Sequence, residues 1–464
     1  MRPESHEKRR ETRSELVYTP DPLDEQEVAP PNAEPHRVRR LPGAEKIERN
    51  TLEALVFRAA STPLAFGLVI LQARALGKEG AGKYALATLT VLLFAKILQD
   101  LGNAATSEIG NAEERVGPIT ALSIRLGLIF APLGIIGAVL LMRTPELFSQ
   151  KTSVDVDVAL LAAVALAPNI VRQTIAGILV GMSRVRLWSY LQITPTLFAF
   201  VGFLVFVKGF DLGVTGAILA WTLGHAITAT AGLVATRDVW LPHVTARLPK
   251  GTARRLMKVA LAMGAVNVII FVNYRVEFAF LERYKGADDV GVYRTATQIA
   301  ESLWIITTAI ATGSWATVLH EREDRAISVV LRSSIKGLLL VGAGAVAIGL
   351  LAGSVVPLVF SDEFKDSVSA TLWLLPGIVA YAPVAVLSIF ISVRHRRPNL
   401  ALIGPALSIV VTIGLALVLI PSRGVDGAAI ASSGGYIVSA VASWILFVRL
   451  AGLGWLGRRL PSTA

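Results

Sequence analysis

Long apolar blocks fill the chain beyond residue 50, and they restrict its fold more than any other feature. About 20 apolar residues suffice to cross the ~30 Å hydrocarbon core of a bilayer as a helix, and blocks of that length recur here between short polar breaks. Only 17% of residues are charged and 53% are hydrophobic, whereas soluble domains carry about 25% charge. The chain reads as an all-α polytopic membrane protein.

Residues 1–50 are different. They are rich in charge and proline and hold too few large apolar residues to fold alone, so a disordered cytoplasmic tail is predicted. Its Arg37–Arg40 cluster either touches anionic lipid or is simply solvated. The first block opens near Leu52, after a long polar stretch unlike a signal peptide. The chain has no cysteine, which excludes disulfides, thiolate metal sites and cysteine nucleophiles.

Twelve spans are placed at about 52–75, 85–109, 117–142, 157–181, 187–208, 213–236, 258–281, 290–318, 327–353, 369–393, 398–420 and 425–449. Lysine and arginine collect in 181–187, 236–258, 393–399 and after Arg449, while 282–289 and 361–367 are acidic or balanced. Basic loops stay on the cytoplasmic side, so both termini are expected there, in a multi-pass plasma (inner) membrane protein. The net charge of +11 then describes a basic inner face against anionic lipid, and no nucleic-acid partner is needed to explain it.

One stretch suggests a nucleotide site. Gly77, Gly82 and Lys83 in "GKEGAGKY" fit Gly-x4-Gly-Lys, the opening of a phosphate-binding loop. That loop needs Ser or Thr next, a strand before and a helix after. Position 84 is Tyr, and the stretch is a short turn on the outer side. It recurs as "GADDVGVY" (Gly286–Tyr293), which keeps Gly-x4-Gly-x-Tyr and replaces Lys83 by Val292. "GVTGAILA" (Gly213–Ala220) likewise returns as "GVDGAAIA" (Gly424–Ala431), and the basic turn after Gly181 as the one after Ser392; the offsets are all about 210 residues. Two parallel halves of six spans follow, 51–240 and 258–450, with a cytoplasmic linker at 241–257 and a cytoplasmic tail at 451–464. In such repeats the substrate site lies between the halves. The glycines are expected to serve a tight turn, and Tyr84 and Tyr293 to sit at the membrane interface.

"ILQARALGKEGAGKYALAT" resembles the first loop of Wzx-type polysaccharide flippases, in the superfamily that also holds the MATE exporters and lipid II flippases. Ala73, Arg74, Leu76, Gly77, Gly82, Tyr84, Leu86 and Ala87 fit the pattern, as do "DLG" at Asp100–Gly102, "GADDVGVYRTATQIAE" and "IPSRGVDGAAIASSGGY". The resemblance covers about residues 50–450 and implies a MATE-like fold of two six-helix lobes. Two departures stand out. The family's Arg-x-x-Asp or Arg-x-Asp of the seventh span is Arg275 and Glu277 here, which puts a coupling-ion role in question. Twelve spans also differ from the usual fourteen of lipid II flippases.

A charge within a span costs at least ~2.5–3.5 kcal/mol and marks a functional candidate. Lys96 and Asp100 are spaced to share a helix face. Arg294, Gln298 and Glu301 form one stripe at helical spacing. Arg58, Arg125 and Arg275 add positive charge, and Asn169, Arg172, Gln173, Asn273 and Glu277 add polarity. Two readings stay open. In the first, Arg58, Lys96, Arg125, Arg275 and Arg294 line a water-filled cavity and bind a phosphorylated headgroup by forked hydrogen bonds, with Asp100, Glu277 and Glu301 as candidates for ion coupling. In the second, Arg58, Arg172 and Arg294 snorkel to an interface and Lys96–Asp100 is a structural pair. His225 is expected to be a packed polar residue.

The resulting expectation is a non-enzymatic flippase, without metal or cofactor, for a polyprenyl diphosphate-linked oligosaccharide. Its partners would be that substrate, membrane lipids and polysaccharide-assembly enzymes. The rivals are a MATE-like exporter of drugs or organic cations, which needs a cavity dominated by acids, and a membrane glycosyltransferase or polymerase. The latter usually carries a sizeable outer loop with catalytic acids, whereas the longest here is about Arg143–Asp157.

Overall fold

Among the described residues, ten helical runs are long and apolar enough to cross a membrane: α1 (Pro63–Ile109), α2 (Val116–Arg143), α3 (Val156–Gly181), α4 (Val185–Gly209), α5 (Gly213–Ala235), α6 (Thr252–Tyr284), α7 (Ala287–His320), α8 (Glu323–Phe360), α9 (Asp366–Arg394) and α10 (Pro398–Leu450). They belong to a computed structural model that describes residues 44–110, 112–144, 154–182 and 184–453, with side chains from residue 63 onward except at position 113. The chain divides at Arg49, and the account below concerns the unit from Asn50 onward. The tail expected over 1–50 lies outside the described residues up to 43, as do most of the Arg143–Asp157 loop and the chain end beyond 453.

Two runs are each a pair of helices. The first breaks at Gly77 (φ 64°, ψ −176°) and the last at Gly424 (φ 52°, ψ −124°). Both breaks fall at glycines of the internal repeat, and their repeat equivalents take matching conformations. Gly286 has φ 101° and ψ −173°, and Gly213 has φ 52°. Positive φ strains any residue with a Cβ, which is what the repeated glycines supply.

The hydrophobic clusters follow the halves and cross between them at a seam. One runs from Leu68 to Ala220 and takes in Leu256 and Ala260 at the start of α6. Two others occupy the second half, around Tyr293 and Tyr436 and around Phe390 and Phe447. A further cluster joins Val69, Ala73 and Ala81 to Val292, Ile299 and Phe360 across the seam. Outward faces are apolar: Leu128, Ile129, Leu133, Ile136 and Leu140 form an exposed stripe on α2, as a lipid-facing surface requires.

The helix ends collect into two groups. At the Gly77 end, Lys78 pairs with Asp288 at 3.3 Å, and Thr215 donates to Asp157 at 2.9 Å. At the opposite end, Arg255 pairs with Glu108 at 2.7 Å, and Arg394 with Glu323 at 2.7 Å.

Candidate functional site

A cavity of about 400 Å³ lies between the halves, lined from α1, α4 and α5 on one side and α6 and α7 on the other. Small-molecule sites span roughly 300–1,000 Å³. Arg275, Arg294 and Glu301 are the charged side chains on its wall, with Gln298 beside them, so the stripe of Arg294, Gln298 and Glu301 faces the cavity as its spacing predicts.

The two arginines are held differently. Arg275 forms a forked pair with Glu301, Nη1 to Oε1 at 2.6 Å and Nη2 to Oε2 at 2.8 Å. Its Nη1 also donates to the Tyr274 carbonyl at 2.8 Å. Arg294 donates from Nη2 to Gln72 Oε1 at 2.7 Å, and its guanidinium lies 4.8 Å from the centre of the Tyr84 ring. Among the described residues no carboxylate pairs with Arg294. A ring face contributes only about 0.5–2 kcal/mol to a cation and leaves its charge intact. Among the described residues the cavity therefore has two cations and one carboxylate, and the charge left uncompensated is on Arg294.

A side cavity of about 60 Å³ opens between α1, α3 and α5, lined by Lys96, Arg172 and His225. A water needs about 10–15 Å³ of such space, so a few waters fit. His225 lines both cavities. Its ring stacks edge-on to Trp221 at 4.7 Å, and neither ring nitrogen has a partner among the described residues. It is buried and packed against Trp221, and it also borders both cavities.

The other expected site residues lie elsewhere. Arg125 is exposed on the α2 face that carries Leu128 and Ile129, outside all the described cavities, so it does not line the site as expected. Asp100 is buried at the α1–α6 seam, where it accepts from Asn103 at 2.5 Å and from Asn267; these asparagines, rather than Lys96, hold it. Glu277 is fully buried in the second half, behind the cavity wall, and accepts from Tyr293 Oη at 3.0 Å. Arg172 is buried rather than snorkelling, bonded to the Leu191 carbonyl at 3.1 Å and to Asn169 at 3.2 Å. Arg58 lies outside the described side chains.

Residues 47–319 match the family described as polysaccharide biosynthesis protein, over more than half of the chain. The chain belongs to that family. No curated protein matches the sequence significantly. The fold of this polysaccharide biosynthesis protein is similar to that of an inward-facing multidrug resistance MATE family transporter of the MOP superfamily, with TM-score 0.69 and 18% identity over 86% of this chain and 98% of that chain. It is also similar to the lipid II flippase MurJ in an inward closed conformation, with TM-score 0.72 and 11% identity over 85% of this chain and 89% of that chain. A third similar fold is that of a MOP superfamily transporter from Pyrococcus furiosus, whose reversed pocket polarity suggests a different function for it, with TM-score 0.65, 16% identity and 88% and 96% coverage. At these identities the likeness concerns the fold.

The sequence reading of this family member missed Gln72 and misplaced the repeat tyrosines. Tyr84 and Tyr293 are both buried: Tyr84 lies under Arg294, and Tyr293 holds Glu277. The Gly-x4-Gly-x-Tyr repeat thus keeps the positive φ of its first glycine in both halves while its two rings take different partners.

Proposed function

We propose that this polysaccharide biosynthesis protein is a flippase that moves a polyprenyl diphosphate-linked oligosaccharide from the inner to the outer leaflet. The uncompensated guanidinium of Arg294, in a cavity between the two halves, carries the reading. A diphosphate offers several oxygens to a guanidinium fork, and such charge-assisted bonds are roughly twice as strong as neutral ones. A cation exporter would need the opposite balance of charge.

The lobes are 51–240 and 258–450, joined by the linker 241–257, with both termini cytoplasmic in the inner membrane and the Gly77 end facing outward. The headgroup enters from the cytoplasmic side and the lobes rock about the cavity. Arg275 joins Arg294 in binding phosphate when Glu301 releases it. Lys96, in the side cavity, extends the positive path. With the inside negative, outward movement of an anion is downhill by ~2.3 kcal/mol per charge per 100 mV. Glu277, Asp100 and Glu301 are the candidates for coupling an ion to the cycle. The protein makes and breaks no covalent bond, and the enzymes that assemble the polysaccharide are its candidate partners.

Deletion followed by analysis of lipid-linked sugars tests the reading. Accumulation on the inner leaflet is expected; an unchanged pool would overturn it.

A further inference from the structure

The side cavity is built wholly within the first half. Lys96 and Gln99 line it from the part of α1 after Gly77, Arg172 and Gln173 from α3, and His225 from α5. Two cations thus border it, and no carboxylate is among its lining residues. Arg172 is only 6% exposed, and its guanidinium bonds to neutral acceptors: the Leu191 carbonyl, Gln192 Oε1 at 3.3 Å and Asn169 Oδ1. Its Nε has no partner among the described residues, and neither does a ring nitrogen of His225, itself 7% exposed. Among the described residues Lys96 makes no ion pair. Asp100, one turn further along its helix, is taken by Asn103 and Asn267.

Buried charges are stable when paired, and neighbouring like charges disfavour one another. Two cations, an unpartnered guanidinium N–H and an unpartnered imidazole around one small space therefore define a place for negative charge. A neutral imidazole still presents one N–H donor, so His225 can serve an anion without being charged. Size selects the ligand. About 60 Å³ holds a few waters, enough for a monatomic anion and too little for a sugar diphosphate. The second half does not repeat the arrangement. In the register of Gly82 and Gly291, Lys96 corresponds to Ile305; in the register of Gly213 and Gly424, His225 corresponds to Tyr436. Tyr436 is packed against the rings of Tyr274, Trp304 and Tyr381. One half is filled with aromatic rings where the other is hollow and basic.

We infer that the side cavity of the first half is a binding site for a small inorganic anion of the halide class, chloride foremost, held by Lys96, Arg172 and His225. The site is separate from Arg275 and Arg294, and it stands whether or not the central cavity carries a lipid-linked sugar. His225 lines both cavities, so its ring is the wall between them and the central chamber is the route of entry. The amides of Gln99 and Gln173 offer further N–H donors, while Leu92, Ala95 and Ile170 supply an apolar lining that suits a weakly hydrated halide. A bound halide compensates one of the two cations.

The test is thermal melting of the full-length protein in detergent, in sodium gluconate at constant ionic strength with chloride replacing gluconate stepwise. Gluconate is too large for the cavity, so the halide alone should act. A ligand of the folded state raises the melting temperature with the logarithmic dependence of a single site, and bromide should act as chloride does. Lys96→Gln and His225→Leu should each weaken the apparent chloride affinity at least tenfold, as for the loss of a hydrogen bond to a charged group. Arg294→Ala, in the central cavity, should keep the native dependence. Each variant is compared with itself across the series, so a change in its basal stability does not enter. Arg172 is left intact because it also braces α4 through Leu191. A native melting temperature indifferent to chloride would overturn the site. So would a native-like dependence in either Lys96→Gln or His225→Leu, or its loss in Arg294→Ala, which would move the anion to the central cavity.

Discussion

Gly82 and Gly291 meet backbone to backbone at the Gly77 end. A Cβ on Gly82 would lie 1.9 Å from the Ala287 carbonyl oxygen and 3.1 Å from the Gly291 nitrogen, and a Cβ on Gly291 would lie 2.0 Å from the Lys78 carbonyl oxygen and 3.0 Å from the Gly82 nitrogen. These glycines are equivalent positions of the internal repeat, and so are Lys78 and Ala287. Equivalent residues touch one another only where a two-fold axis passes, so the pseudo-symmetry axis of the two halves runs between this pair. The motif that mimics a phosphate-binding loop is a closure between lobes.

The closure should be sensitive to a single side chain. Gly82→Leu or Gly291→Leu drives carbon into backbone that cannot yield, and overpacking of this kind costs about 1–3 kcal/mol. The closed arrangement at this end should lose population by roughly tenfold, the equivalent of about 1.4 kcal/mol. A single cysteine at Thr88, which lines the cavity, should then react faster with an impermeant maleimide applied from the Gly77 side. An unchanged rate would mean that the glycines do not gate the cavity.

Arg275 and Glu301 should be more costly to break than to remove together. Truncating one partner of a buried pair costs about 3–5 kcal/mol because the other charge is orphaned. Water in the cavity offsets part of this, since the side chains are 25% and 14% exposed. Arg275→Met and Glu301→Gln should each lower the melting temperature in detergent more than the double variant does. A double variant less stable than both singles would contradict the pairing.

Arg294→Ala should weaken binding of a polyprenyl diphosphate by roughly tenfold to a hundredfold, as hydrogen bonds to charged groups contribute about 1.5–3 kcal/mol. Arg294→Lys keeps the charge and loses the planar fork, so its binding should fall between the two. Titration of the reconstituted variants measures this, and equal affinity for all three would remove Arg294 from the site.

At the α1–α6 seam, Asp100→Ala should be more destabilising than Asp100→Asn. Alanine leaves the Asn267 amide without its acceptor, whereas asparagine retains an oxygen for it. A buried group left unsatisfied costs about 1–3 kcal/mol. Thermal melting of the pair gives the order, and a reversed order would show that the bond to Asn267 contributes nothing.

Much of this architecture was legible in the sequence. Apolar block length gave the spans, and the Gly-x4-Gly-x-Tyr repeat marked Gly77 and Gly286 because a positive φ leaves glycine as the unstrained choice. The stripe of Arg294, Gln298 and Glu301 was also legible, since helical spacing fixes a shared face. Which face looks inward was not. Arg125 sits on a helix that is apolar on all sides, so periodicity could not separate lipid from cavity. Asp100 and Lys96 share a face by spacing, yet Asn267 on another helix takes the carboxylate. Gln72 reaches Arg294 across 222 residues, and no local pattern encodes that contact.

Flipping measured directly gives the strongest test of the central claim that a phosphorylated headgroup crosses through this basic chamber. Proteoliposomes carrying the full-length protein and a polyprenyl diphosphate-linked oligosaccharide would be assayed for headgroup exposure with an impermeant enzyme. The account predicts that the native protein exposes the headgroup, that an inside-negative potential speeds it, and that Arg294→Ala slows it by roughly tenfold or more. Flipping by Arg294→Ala at the native rate, or no flipping by the native protein, would contradict it.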